Sequence, residues 1–357
     1  MDPRLERFDK DAYLASIKKR MGKCPDEADL YQKIDDSVDS IVPVYDLVCD
    51  YLFQDVSFEQ IQPLIPDWIV RGGISPESGM SKLEYERFRQ LYCSRHVNRL
   101  LHWYDVEFLL HSIQDRIWSV RFFVSEFFRL VPCIPKNTTL DIYSSSLTMS
   151  ENTAIAYAMV NATFIALAST FDLVSKLAVE MVEMPGYDFE HYKKMNCADV
   201  IFKQKLKVWP ELHRCGMLFY ENADVAMIET LRNDYVHDSS WTTRSSVYYP
   251  QGKYGELLPP FMPLPDDDGQ GHFATSGSRR KFYSRQVMLN QTLAGLIGRV
   301  LDIVNNTITA VGQGCLNRTN AQHSQEQTHA FIEALLKGLK CVTKSYGGEK
   351  VSSRPLA

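Results

Sequence analysis

The sequence has no pair of cysteines in C-x-x-C spacing, although it holds eight cysteines. Two close Cys/His pairs, Cys93-x-x-His96 and His213-x-Cys215, stop short of a four-ligand zinc pattern. No metal or other cofactor is therefore expected. The thiols read as buried or free groups in a reducing compartment. The sequence also lacks G-x-S-x-G, a P-loop and H-E-x-x-H, which removes the commonest hydrolase and nucleotide-loop signatures. No uninterrupted run of eighteen apolar residues occurs, so no membrane span is expected. The first twenty-three residues are charged and carry no apolar core of a signal peptide, so a cytoplasmic protein is expected. The triplet Asn161-Ala162-Thr163 then reads as ordinary sequence rather than a glycan acceptor. A basic excess is missing as well. Lys and Arg number 39 against 44 Asp and Glu, a net charge of −5. That excludes a protein that coats nucleic acid through bulk charge but leaves room for a local basic site. Internal repeats and heptad runs of coiled-coil length are absent.

What is present is helical periodicity over most of 357 residues, at 45% hydrophobic and 23% charged composition. Leu5, Phe8, Leu14 and Ile17 suggest one short apolar stripe. A better one holds Ile34, Val38, Ile41, Val44, Tyr45, Val48 and Tyr51, with a kink or break expected at Pro43. Ser57-x-x-Gln60, Ser81-x-x-Glu84 and Thr148-x-x-Glu151 read as capping boxes that open helices. A long helical region is expected over 81–130. Its stripe is Val106, Leu110, Ile113, Ile117, Val120, Val124, Phe127 and Val131, widened by Trp118, Phe122, Phe123 and Phe128. Such a helix belongs at the centre of a bundle or against a partner subunit. Pro132 and Pro135 end it. Further helices are expected at 149–183, stopped by Pro185-Gly186, then at 197–207, 211–236, 283–312 and 324–345, the last stopped by Gly347-Gly348. The 211–236 helix admits a break around Glu221–Asp224.

Two segments break the rhythm. Residues 63–79 hold Pro66, Gly72, Gly73, Pro76 and Gly79, a boundary between an N-terminal helical extension (1–80) and the main helical domain (81–345). Residues 238–281 form a Pro/Gly-rich insert in which 246–249 suggest a short strand, as of a small β-hairpin. Connections of this length are often functional or mobile. Residues 346–357 read as a tail. The fold class expected is all-α, a helical bundle with at most a small β element.

Arg232-Asn233-Asp234-Tyr235-Val236-His237 reads R-N-x-x-x-H at the end of an apolar-faced helix. Val225, Ile228 and Leu231 mark that face, and Tyr235 is expected to continue it. Arginine is a permanent cation with a fork suited to phosphate oxygens. Histidine titrates near neutrality and can give and take protons. Together they suffice to attack a phosphodiester.

The hexapeptide resembles the R-N-x-x-x-H motif of the HEPN superfamily, helical proteins that include many metal-independent ribonucleases of defence and toxin systems. The resemblance covers about 81–312 and rests on the hexapeptide, with helix order as weaker support. It implies a HEPN-like bundle and an endoribonuclease cutting RNA to 2′,3′-cyclic phosphate and 5′-OH ends, as a defence or toxin effector. Arg232 would hold the scissile phosphate and His237 would act as general acid or base. Asn233 would orient either one. Five residues of α-helix turn about 140° away from the starting face. Either the helix ends before His237, then, or two copies meet in a homodimer with a composite site, as the family generally does. A toxin also implies a neutralising or activating protein partner.

Ser278-Arg279-Arg280-Lys281-Phe282-Tyr283-Ser284-Arg285 combines cations and aromatics in the manner of single-stranded RNA binding, with Arg279, Arg280, Lys281 and Arg285 as RNA contacts. A solvated helix start is the competing reading. Arg244 and Lys253 are weaker candidates. Asp266-Asp267-Asp268 reads as a solvated loop before a cation site, and Arg95, His96, His102 and His111 as the polar face of their helix. The alternative to an enzyme is a non-catalytic helical module that binds RNA or a protein partner. A third reading is a scaffold whose partner face is the apolar surface of 106–131.

Overall fold

The computed structural model describes residues 25–345 apart from 67–68, 70–71, 73, 75, 77–79, 93, 135–138, 141–144, 192–194, 196–205, 239–240, 243–244, 251–259, 285–286 and 321. In chain order the helices are α1 (Pro25–Asp39), α2 (Val42–Leu52), α3 (Phe58–Ile61), α4 (Lys82–Tyr92) and α5 (Arg95–Leu130). Strands β1 (Thr139–Leu140) and β2 (Ser145–Thr148) precede α6 (Glu151–Glu183) and α7 (Ala223–Asn233). Strand β3 (Val247–Pro250), α8 (Leu289–Arg318) and α9 (Gln325–Ser345) complete the set. The fold is mostly helical, as the periodicity implies.

Local chemistry explains where the helices start. Ser81 and Glu84 form the full reciprocal box: Ser81 N donates to Glu84 Oε2 at 2.7 Å and Glu84 N to Ser81 Oγ at 3.3 Å. The chain breaks at Ser40–Ile41, with Pro43 in the first turn of α2, where its missing N–H leaves no bond unmade. The expected 81–130 helix is two helices, because Ser94 restarts it by accepting from Val97 N at 3.3 Å. Two expected boxes do not form. At Ser57 the backbone N–H donates instead to the Thr328 hydroxyl at 3.0 Å, and its side chain makes no cap bond. Thr148 ends β2, and α6 is capped by Ser150, whose Oγ accepts from Thr153 N at 3.2 Å. The 211–236 helix is also shorter than expected. A 3-10 turn at Pro210–His213 is followed by turns, and α7 begins only after Asn222. The expected helix over 197–207 falls outside the described residues up to 205, and 206–207 are irregular. The 1–24 stripe and Gly347-Gly348 also lie outside them.

The chain forms two compact units that interleave in sequence. The first comprises Met1–Ser40, Gln114–Phe171 and Arg214–Asn306. Its core joins Leu30 and Ile34 of α1 to Ile117, Val120, Val124 and Phe127 of α5. Phe164 and Leu167 of α6, Ile228 and Leu231 of α7, and Ile297, Val300 and Val304 of α8 fill the same core. Arg121 pairs with Asp35 at 3.1 Å and Lys33 with Asp302 at 2.6 Å at its rim. The wide apolar surface of α5 is only partly covered: Trp118 and Phe122 stay 46% and 61% exposed. This unit also holds a three-stranded antiparallel sheet in the order β1-β2-β3, with Ser146 opposite Tyr249. The strand expected in the insert therefore exists. It pairs with β2, and Phe261 closes on its other side through two backbone bonds with Tyr248.

The second unit comprises Ile41–Ile113, Asp172–His213 and Thr307–Ala357. Val44 and Val48 of α2, Leu110 and Ile113 of α5, and Leu177 and Met181 of α6 meet Ile308, Val311 and Phe331 there. The span Glu151–Gly186, α6 with the 3-10 turn after it, is long and apolar enough to cross a membrane by length and composition, and 61% of its most apolar window is buried inside the fold.

Candidate active site

Helix α7 begins on Asn222, whose side chain accepts from Asp224 N at 2.9 Å and Val225 N at 3.3 Å. Val225, Ile228 and Leu231 are buried, which fixes the rotation of the helix and leaves Arg232 half-exposed and Asn233 exposed. The α-helix then gives way to a π-helical turn, Asp234–Asp238. Tyr235, expected to continue the apolar face, is exposed instead, and Asp234 takes the inward place at 5% exposure. Closing at i→i+5, the turn takes up more residues per revolution than an α-turn. The same change bears on the motif. It carries His237, exposed at the end of the turn, part of the way back towards the side of Arg232. Arg232 Nη1 donates to Asn233 Oδ1 at 2.6 Å, so the two flanking motif residues already form a unit.

The basic segment lies against this turn. Lys281 Nζ pairs with Asp234 Oδ2 at 2.6 Å, with side chains 19% and 6% exposed. Arg280 Nη1 pairs with Asp238 Oδ2 at 3.1 Å, both exposed. Two expected RNA contacts thus carry a carboxylate of the motif turn. Arg279 is exposed, its backbone closed in a two-way bridge with Ser276. Phe282 and Tyr283 present 40% and 41% of their surface to solvent beside these cations. The Tyr283 hydroxyl donates to Trp241 O, and Trp241, fully buried, donates through Nε1 to Asn161 Oδ1 at 2.7 Å. Burial and the nearby Asp234 charge push the Tyr283 hydroxyl up to about 12. Arg285, Arg244 and Lys253 lie outside the described residues.

The acidic triplet is part of the framework. The Asp266 carboxylate accepts from Ser284 N and, at 2.7 Å, from Ser284 Oγ. Asp267 accepts from Gly269 N at 2.7 Å and Asp268 from Gln270 N at 2.8 Å. Bonds from Gln270 and His272 hold the Asp268 carboxyl below the usual carboxylate range. Gly271 then meets the first turn of α7. Its φ is +87, and a Cβ there would stand 2.8 Å from Met227 N and closer still to Ala223 O. Thr230 Oγ1 donates to Gly271 O at 3.0 Å. The described part of the insert beyond residue 260 is therefore docked on the motif helix.

The second unit holds ionisable groups that the sequence reading put on a polar face. His102 is not on such a face: it is 1% exposed, with Nε2 3.9 Å from Oε2 of the fully buried Glu180. The Tyr187 hydroxyl donates to Glu180 Oε2 at 3.0 Å. Burial pushes the nearby Asp105 carboxyl up to about 6; Lys176 opposes this and Glu180 adds to it. His102 and Asp105 lie 75 or more positions before Glu180 and Tyr187, so no local pattern announced their meeting. His96 lies against Phe331 with ring centroids 4.5 Å apart, and His111 meets Tyr45 edge-on. Among the described residues no group of three or more His, Cys, Asp or Glu is placed to hold a metal ion.

Compared with family models, curated proteins and solved structures, this chain matches none.

Proposed function

We propose that this chain is a HEPN-type, metal-independent endoribonuclease acting through Arg232, Asn233 and His237. The observation that carries the reading is the surface π turn, with Arg232 before it, His237 exposed on it, and Arg280 and Lys281 fastened to its carboxylates. π turns of this kind often mark functional positions. In the reaction the ribose 2′-oxygen attacks the adjacent 3′-phosphorus and the bond to the 5′-oxygen breaks. One histidine takes the 2′ proton and another group supplies the proton for the leaving oxygen. Arg232 offsets the charge that grows on the phosphoryl oxygens. A homodimer brings two copies of the motif into one cleft and supplies both proton carriers. A defence or toxin role under a protein partner follows from the same reading.

The test is a DNA oligonucleotide carrying a single ribose, incubated in chelator. Cleavage only after that ribose, leaving a 2′,3′-cyclic phosphate, supports the reading. Cleavage of all-DNA, or loss of activity in chelator, overturns it. Mixing Arg232→Ala with His237→Ala protein restores activity if the site is composite. The second reading, a non-catalytic module, draws on exposed Trp118 and Phe122, which suit a protein partner. It predicts RNA or protein binding that His237→Ala leaves unchanged.

A further inference from the structure

The second unit contains a pocket of about 520 Å³, a size ordinary for small-molecule sites. It opens where α5 and α9 begin. Arg95, the first residue of α5, lines it, and so do Ser324 and Gln327 at the start of α9. The charged residues lining it are Asp55, Arg95 and Arg99, two cations against one anion. Arg99 is wall rather than ligand. Arg99 is 8% exposed, and its guanidinium donates through Nε to Leu52 O at 3.0 Å and through Nη1 to Asp55 Oδ2 at 3.2 Å. Burial raises the Asp55 carboxyl, but bonds and charge from Arg99, with Arg95 adding, hold it lowered overall. Asp55 is thus committed to Arg99. Arg95 stands one turn earlier on the same helix, exposed, and forms no ion pair among the described residues. The uncompensated charge of the pocket is positive, and the aligned peptide dipoles at the two helix starts add to it.

The rest of the lining has a different character. Asn320 and Gln322 line it and are exposed, and a carboxamide offers a donor beside an acceptor, the pattern that matches the edge of a nitrogen base. Phe189 supplies an aromatic wall. It is the one non-glycine with positive φ among the described residues, at 56°, and Asn98 Nδ2 holds its carbonyl at 3.0 Å. A bulky residue in the left-handed region is costly and persists where the surroundings over-determine it.

We infer that this pocket binds a nucleoside monophosphate, with the phosphate at Arg95 and the base edge on the carboxamides of Asn320 and Gln322. The site is separate from the motif turn, and the inference stands whether or not the chain cuts RNA. The test is calorimetric titration of the full chain with AMP, GMP, CMP and UMP, and with adenosine and inorganic phosphate. At least one nucleotide should bind below about 1 mM. Its nucleoside and inorganic phosphate should each bind about tenfold or more weakly. Arg95→Gln, an exposed position, should lower nucleotide affinity by about tenfold with unchanged melting. Asn320→Ala should weaken nucleotide but not phosphate binding. No binding by any of the four nucleotides overturns the inference. So does nucleoside or phosphate binding as tight as the nucleotide, or unchanged affinity in Arg95→Gln.

Discussion

Replacing Lys281 by methionine removes the cation facing Asp234 while keeping most of the side chain's apolar length. Asp234 is 6% exposed and Lys281 19%, so the carboxylate left behind has little water to turn to. Breaking a fully buried pair from one side costs about 3–5 kcal/mol. The one-fifth exposure of the lysine side lets some solvent in, and we expect about 2–3 kcal/mol here. Asp234→Asn leaves an ammonium that can reach water and a neutral amide in the turn, so about 1–2 kcal/mol is expected. The double variant should cost less than the sum by about 1 kcal/mol or more, because it removes the unpaired charge that each single variant creates. Urea unfolding followed by tryptophan fluorescence and circular dichroism measures all three. High salt should change the cycle little, since screening acts weakly on a buried pair. Single variants within about 0.5 kcal/mol of wild type, or a strictly additive double, would refute the view that this pair fastens the insert to the motif turn.

Three further outcomes follow from the geometry. Gly271→Ala places a Cβ against the backbone of α7 at a positive φ and should destabilise by about 2–4 kcal/mol in the same urea assay; a loss under about 0.5 kcal/mol would mean that the loop is not docked there. Asp105 has a folded carboxyl raised from 3.8 to about 6, so the penalty is absent below pH 3.8, builds as pH rises to about 6, and is full above it. Asp105→Asn should therefore stabilise by at most about 3 kcal/mol at pH 8 and by almost nothing near pH 4; equal effects at both would contradict the burial argument. Arg299→Ala removes a bidentate but exposed pair with Asp224, at 2.8 Å for both bonds, and should cost about 1 kcal/mol or less by thermal melting.

Much of the helical frame was legible because its signals are local. The Ser81–Glu84 box, the Pro43 break and the buried stripe of α5 all depend on residues within a few positions of one another. Thr148 misled because Ser150 and Thr153, two residues on, make the same box, and β2 claims Thr148 through pairing with Val247. The π turn that carries Tyr235 was not legible, since an i→i+5 turn has no residue signature of its own. The docking of the insert was not legible either. Lys281 meets Asp234 across 47 positions, and Gly271 meets Ala223 across a similar distance, contacts that no periodicity encodes. Arg232, Asn233 and His237 were readable as a motif, and what the structure adds is the π turn that follows the first two, with His237 exposed on it and Arg280 and Lys281 paired to its carboxylates.

The most direct measurement is cleavage of an end-labelled single-stranded RNA in chelator by the wild type, His237→Ala and Arg232→Ala. His237 and Arg232 are on the surface, so both variants should fold as the wild type does. The account predicts cyclic-phosphate ends from the wild type alone, with each variant reduced by about a hundredfold or more. Equal cleavage by all three proteins, or none by the wild type as the homodimer, would contradict it.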